Sequence, residues 1–534
     1  MKKTLLYLLP FAVFGCVQAQ KSDPIQQKYA AYITAEDARK HLSILASDAF
    51  EGRETGKPGA EKAANYIAGE FKKLGLQAPV NGSYFFNVPL MESSLHADQF
   101  KINNTTFAFG KDFYISGSAS SKNISAKEVV FIGYGISSDR YDDLKNTDIT
   151  GKVVLVINKG EPMKDGVSAI TQTTTASDWS TGRNKRLQFL LSKNPALILS
   201  VNPDLEALLQ RMAKMNYDLN AGRITIKNDA LKEAKAAVIT VTPAIADAIL
   251  NNSGKTLEAL KTAIDQNGTP QTQIIKTDFS VAINQQNKDV KAVDVLGYLP
   301  GTDLKNEVLV FSAHYDHIGL TTSGTDKVNN GADDDGSGTT GVLEIARAFT
   351  EAKKAGHGPR RSILFLGNVG EEKGLLGSEY YTDHPVFPLS QTITDLNIDM
   401  IGRTGYDYIG KADSSNYLYV IGSAMLSTTL RKVTEEVNTQ YTKLDLDYKY
   451  DDPNDPNRFY YRSDHYNFAK HGVPIIFYFD GENPDYHRPG DEVSKINFPM
   501  LVKRAQLVFY TGWNLANRNE RPVVDVKTDK PNGQ

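Results

Sequence analysis

Val308-Leu309-Val310-Phe311-Ser312-Ala313 runs directly into His314-Tyr315-Asp316-His317. A short, nearly unbroken apolar run of this kind reads as a strand covered on both faces. It ends on an imidazole with a carboxylate two residues on, the residue types of a metal ligand and its orienting partner.

Working outward, similar apolar runs occupy 363–366, 396–401, 417–421 and 473–479, and helical periodicity marks 341–352, 425–437 and 500–515. Apolar strands alternating with helices predict an α/β fold: a mostly parallel mixed sheet with helices on both faces. Sites in such sheets form beyond the carboxyl ends of the strands. Upstream, 34–75 reads as two helices, the first capped by Thr34 with Asp37 in a capping-box position and the second ended by Gly75. Between 101 and 285 the pattern shifts to short strands broken by Gly, Asn, Asp and Ser, which predicts an inserted β-rich accessory domain. The catalytic domain is then discontinuous, 20–100 with 286–521, and 522–534 is a polar tail.

The chain has 534 residues, a formal charge of -3 and a single cysteine, Cys16. So small a charge gives no footprint for nucleic acid, and nothing beyond residue 19 suggests stable membrane insertion. Lys2 and Lys3 before the apolar run 5–17 predict a signal peptide over 1–19, cleaved after Ala19, and a periplasmic or extracellular protein. The alternative uses Val13-Phe14-Gly15-Cys16 as a lipoprotein signal, with a lipid anchor on Cys16. On ordinary cleavage no thiol remains, so any metal must be held by His, Asp and Glu.

Four more motifs carry candidate ligands. Asn330-Gly331-Ala332-Asp333-Asp334-Asp335 crowds three carboxylates, which repel unless a cation or donors compensate. The following Gly336-Ser337-Gly338-Thr339-Thr340-Gly341 matches a dinucleotide loop in spacing, but those carboxylates would repel a pyrophosphate. Glu371-Glu372 follows the 363–366 strand, Asp399 is read inside the 396–401 strand, and His487 lies in a turn after the last strand. Taken singly, each has a structural reading: a satisfied histidine, a solvated acidic turn, a surface charge pair. Taken in order, His314, Asp333, Glu372, Asp399 and His487 form an N/O ligand set for two zinc ions per chain. Asp333 would bridge, His314 and Asp399 would complete one site, and Glu372 and His487 the other. Glu371 is then the general base toward a metal-bridging water.

His314-x-Asp316, Gly331-Ala332-Asp333-Asp334, Glu371-Glu372, Asp399 and His487 resemble the zinc peptidase family of bacterial leucyl aminopeptidase and glutamate carboxypeptidase II. The resemblance implies catalytic roles for Glu371 and for Asp316, which supports the first ligand. It also implies a cis bond between Asp333 and Asp334, and peptide substrates cut at the N-terminal bond. The insert resembles a protease-associated domain through 131–136 and 151–155. Tyr460 and Tyr461 look like a family segment near the substrate. Carboxypeptidase action is the main alternative and would need a basic pocket, with Arg458 and Arg462 as candidates. A one-zinc glutaminyl cyclase and a non-catalytic receptor-like protein are further alternatives, and the intact ligand set speaks against both. His317, His357, His384 and His471 are given no role, and His465 stays outside the catalytic set.

Overall fold

The computed structural model describes residues 23–116, 121–182, 184–214, 219, 221–227 and 236–526. The segment 1–19 with Cys16 lies outside these residues, as does most of the tail. Among the described residues no helix is long and apolar enough to cross a membrane.

The main sheet has eight strands. Arg361–Asn368, Leu304–His314, Thr392–Ile398 and Ile475–Phe479 lie side by side and parallel at its centre. Val293–Leu299 and Phe85–Asn87 extend it antiparallel on one side. On the other side Tyr417–Ile421 runs antiparallel to Ile475–Phe479 and carries Asp445–Asp447 parallel to itself. The four central strands therefore release their chain ends on one edge, where the motif residues gather.

Alternation along the strands builds the two faces. Leu309, Phe311, Ile363 and Phe365 enter the larger core with the helices Gly336–Lys354 and Phe498–Asn517. Val308, Val310, Leu364 and Leu366 face the other way, against Tyr381 and Phe468 of the helices Leu376–Asp383 and His465–Lys470. The Phe311 ring stacks on Phe365 at 5.7 Å between centroids. Gly512 presses on Phe311 so closely that a Cβ there would lie 2.2 Å from the ring. The N-terminal helices follow local rules: Thr34 Oγ1 accepts from Asp37 N at 3.1 Å, and Gly75 takes φ 80° past Leu74.

Two boundaries differ from the sequence reading. The strand Thr392–Ile398 stops one residue short of Asp399, which stands just beyond the sheet, and Met400 turns the chain away at φ 60°. The insert is wider than 101–285. Leu90–Ile102 and Gln273–Val290 pair antiparallel from Leu90↔Val290 to Ile102↔Phe279, so the accessory unit begins and ends on one long two-stranded stem. This stem belongs to a nine-stranded sheet with its own apolar core. The helices Pro243–Leu250 and Leu257–Asn267 pack into that core, so the unit is not purely β.

Candidate metal centre

His314 is the last residue of its strand and is 1% exposed. Its Nδ1 lies 3.0 Å from the backbone carbonyl of Asp316, while the nearer Asp316 carboxylate oxygen is 3.7 Å away. That carboxylate is engaged elsewhere: Oδ1 accepts from Glu371 N at 3.2 Å and Oδ2 accepts from the Thr55 hydroxyl. Asp316 thus orients the histidine through its backbone and fixes the Glu371 loop through its side chain.

The three adjacent aspartates do three different things. Asp333 Oδ1 accepts from Gly402 N at 2.8 Å and from the Ser337 hydroxyl, and its Oδ2 accepts from Asn483 Nδ2 at 3.1 Å. Asp335 Oδ1 caps the helix Gly336–Lys354 through Gly338 N and holds Met400 N at 3.1 Å. Asp334 faces inward, with Oδ1 3.4 Å from His314 Nε2 and Oδ2 3.1 Å from His487 Nε2. Asp334, rather than Asp333, therefore presents its carboxylate between the two histidines, because both Asp333 oxygens already accept from protein donors. The cis peptide is correspondingly Asp334–Asp335, one bond later than expected. Asp491 Oδ2 holds the turn by accepting from the backbone N–H groups of both Asp333 and Asp334.

The remaining groups close around these two histidines. Asp399 Oδ1 stands 3.6 Å from His314 Nε2, and its Oδ2 accepts from Ser463 at 2.7 Å. Glu372 Oε2 stands 3.1 Å from His487 Nε2. Glu371 Oε2 is farther out, 4.0 Å from His314 Nε2. Burial pushes the Glu371 carboxyl well above its usual range, His314 opposes this, and Glu372 and Asp399 add to it. Burial pulls the His487 ring down, but Asp334 and Glu372 outweigh it and lift the ring to about 10.

These spacings suit zinc. Ligand atoms about 2.0–2.1 Å from a tetrahedral ion lie about 3.3 Å from one another, and the four contacts of His314 and His487 with Asp334, Asp399 and Glu372 span 3.1–3.6 Å. Buried Asp334 Oδ2 has no hydrogen-bond partner, as a carboxylate oxygen reserved for a cation should not. Two groups, His314 with Glu371 and Asp399 and His317 with Asp334 and Glu372, each offer ligand atoms within 4.8 Å of one another. Asp334 is closer to His314 than Glu371 is, and His487 is closer to Asp334 than His317 is, at 3.1 against 3.7 Å.

His317 had no role in the sequence reading, yet it is fully buried and its Nδ1 lies 2.9 Å from Glu372 Oε1. The signal was present: His317 follows His314 at three residues, directly after the same strand end. Tyr460 and Tyr461 do not line the cleft beside the metal-capable groups. That cleft is lined by Met400, Phe459, Phe477 and Phe479 with Arg462, Glu482 and Tyr486, and it touches Asp334, Glu371 and Asp399. Phe459–Tyr461 is a 3₁₀ turn, in which residues three apart share a face. Phe459 and Arg462 therefore point into the cleft together. Tyr460 instead packs against His465 and Gly422, and Tyr461 against Arg458. Arg462 is paired with Glu482 at 2.8 Å. His465 is buried behind the wall, stacked on Phe477.

The mixed α/β sheet thus gathers these His, Asp and Glu side chains at its central strand ends. Residues 294–512 match peptidase family M28, and the zinc peptidase resemblance carried by the motifs stands. The chain is 28% identical over 267 residues to the probable leucine aminopeptidase 2 of Aspergillus oryzae, covering 46% of this chain and 48% of that protein. It is 24% identical over 284 residues to aminopeptidase YwaD of Bacillus subtilis, covering 49% and 55%. The matches thus span about half the length of these curated relatives. Among solved structures, the aminopeptidase of Aneurinibacillus sp. strain AM-1 superposes with a TM-score of 0.53 at 17% identity, over 94% of this chain and 98% of that one. At that identity the likeness concerns the fold.

Proposed function

We propose that this protein is a two-zinc aminopeptidase that hydrolyses the N-terminal peptide bond of peptides. One observation carries the reading: the two oxygens of Asp334 face two histidines, each with one further carboxylate at ligand distance. His314 and Asp399 would hold one zinc, His487 and Glu372 the other, and Asp334 both. When bound, the ions supply Lewis acidity to the scissile carbonyl and lower the pKa of water.

The chain's own groups account for the rest. Glu371 stands 4.0 Å from His314, outside the closer contacts. Its Oε2, on the cleft wall beside Asp334 and Asp399, would take a proton from the attacking water and return it to the leaving amine. Its backbone is held by Asp316, so the carboxylate is aimed before substrate arrives. Tyr486, beside His487 on the cleft wall, would donate to the carbonyl oxygen. Met400, Phe459, Phe477 and Phe479 would receive an apolar side chain of the N-terminal residue. The aminopeptidase reading is favoured because Arg462, the cation on the cleft wall, is already paired with Glu482. A C-terminal carboxylate would have to compete for it. Export is part of the proposal and rests on the residue pattern of 1–19.

The test is zinc-dependent release from one apolar peptide in unblocked, N-acetylated and C-amidated forms. Cleavage of the free and amidated forms alone is expected. A requirement for a free C-terminus would move the function to carboxypeptidase.

A further inference from the structure

The cluster of groups nearest the metal centre that the mechanism does not use comes from far upstream, in Gly52-Arg53-Glu54-Thr55, outside the stretch 294–512 that matches the family. Arg53 is 1% exposed. Its Nε donates to Tyr315 O at 2.8 Å, Nη1 to Leu45 O and Asn330 O at 2.7 Å each, and Nη2 to Gly331 O at 2.8 Å. Tyr315 follows His314, and Asn330-Gly331 lead into the Asp334 turn. One guanidinium therefore ties the loop of the first histidine to the loop of the bridging aspartate.

The neighbours of Arg53 reach the other ligand loop. The Thr55 hydroxyl donates to Asp316 Oδ2, whose Oδ1 accepts from Glu371 N. Glu54 pairs with Lys373 at 2.9 Å, directly after Glu372. Backbone bonds add to this, His317 N to Arg53 O at 3.2 Å and Gly319 N to Gly52 O at 3.0 Å. A Cβ on Gly52 would lie 2.4 Å from Asn329 O, so only glycine permits this approach. Arg53 itself sits at φ 48°, a conformation that side-chain-bearing residues seldom adopt. A planar fork of five donors can serve three loops at once, and a lysine ammonium cannot.

We propose that residues 52–55, through Arg53, are a positioning element of the metal centre that sets the separation of the loops carrying His314, Asp334 and Glu372. This rests on the two-zinc reading. The segment touches neither substrate nor ligand atoms; it acts through the backbones that hold them.

The experiment compares the full-length wild type with Arg53→Lys and Thr55→Val. The readouts are zinc affinity by chelator competition, the visible spectrum of the cobalt-substituted protein, and kcat and KM separately. Arg53→Lys should bind zinc about 10–100-fold more weakly, the range expected for loss of a group supporting metal ligands. Its cobalt spectrum should shift, with kcat lowered and KM unchanged. Thr55→Val should weaken zinc by a smaller factor and still fold, and it decides the matter alone if Arg53→Lys does not fold. A folded variant with wild-type zinc affinity and cobalt spectrum, and only a lower melting temperature, would overturn the proposal. A wild type that bound no zinc would sink the two-zinc reading instead.

Discussion

The two large sheets of this protein both bury carboxylates, and their surroundings differ. In the accessory unit Glu161 accepts from the hydroxyls of Ser168 and Ser177 and from Ser177 N, and Asp143 accepts from Ile136 N and the Tyr141 hydroxyl. In the main sheet Asp334 and Glu372 face His487 at 3.1 Å, and Asp334 Oδ2 finds no hydrogen-bond donor. A buried carboxylate saturated by hydroxyls and amides holds loops together. One surrounded by imidazoles and further carboxylates is expensive unless a cation joins it. Burial alone does not separate the two cases; the chemistry of the partners does.

The largest expected effect sets Asp334 against its neighbour. Asp334→Ala should lose both zinc ions and all peptidase activity, while Asp333→Ala should keep measurable zinc and lose mainly thermal stability. Metal analysis of the two purified variants decides this, and the reverse pattern would return the bridge to Asp333. Next comes Glu371→Gln, which should keep its zinc and lose about 10²–10⁴-fold in kcat, the usual contribution of a general base. Equal loss of metal in that variant would make Glu371 a ligand.

The accessory carboxylates should behave differently. Glu161→Ala removes the acceptor of two buried serines and should cost about 1–3 kcal/mol of stability. Once folded, the variant should cleave a short peptide with the wild-type kcat. A kcat loss in fully folded Glu161→Ala would break the contrast between the sheets.

The smallest effect concerns pH. Burial holds the His465 ring down to about 3, well below its usual value of 6.5. The folded state thus keeps this ring neutral while the unfolded chain protonates it, so its contribution is fully present above pH 6.5. It is lost as pH falls from there toward 3. His465→Gln should therefore flatten the acid slope of stability over that window, read by denaturant titration at successive pH values. An unchanged slope would mean the ring charges in the folded state.

Much of this contrast can be read from residue order. The nearly unbroken apolar run 308–313 predicted a strand covered on both faces, and the structure sends Leu309 and Phe311 to one face and Val308 and Val310 to the other. His314 at a strand end, Glu371-Glu372 after another and His487 after the last follow from the topology of a parallel-centred sheet. Three aspartates in a row were not separable, because their identities are equal and only their partners differ. Asp333 meets Gly402 and Asn483, and Asp335 meets Gly338 and Met400. The cleft wall escaped for a related reason: the 3₁₀ turn puts Phe459 and Arg462 on one face, whereas the sequence drew attention to the two tyrosines between them.

By itself, then, the sequence determined the fold class, the strand ends that carry the chemistry and the absence of any thiol beyond Cys16. These depend on periodicity and composition, which are local. Only the tertiary structure decided that Asp334 is the aspartate facing both histidines, that His317 contacts Glu372, and that Arg53 ties together two loops from more than two hundred and fifty positions upstream of Tyr315, Asn330 and Gly331. Each of those depends on which donors reach a buried atom, and that is settled by chain segments distant in sequence.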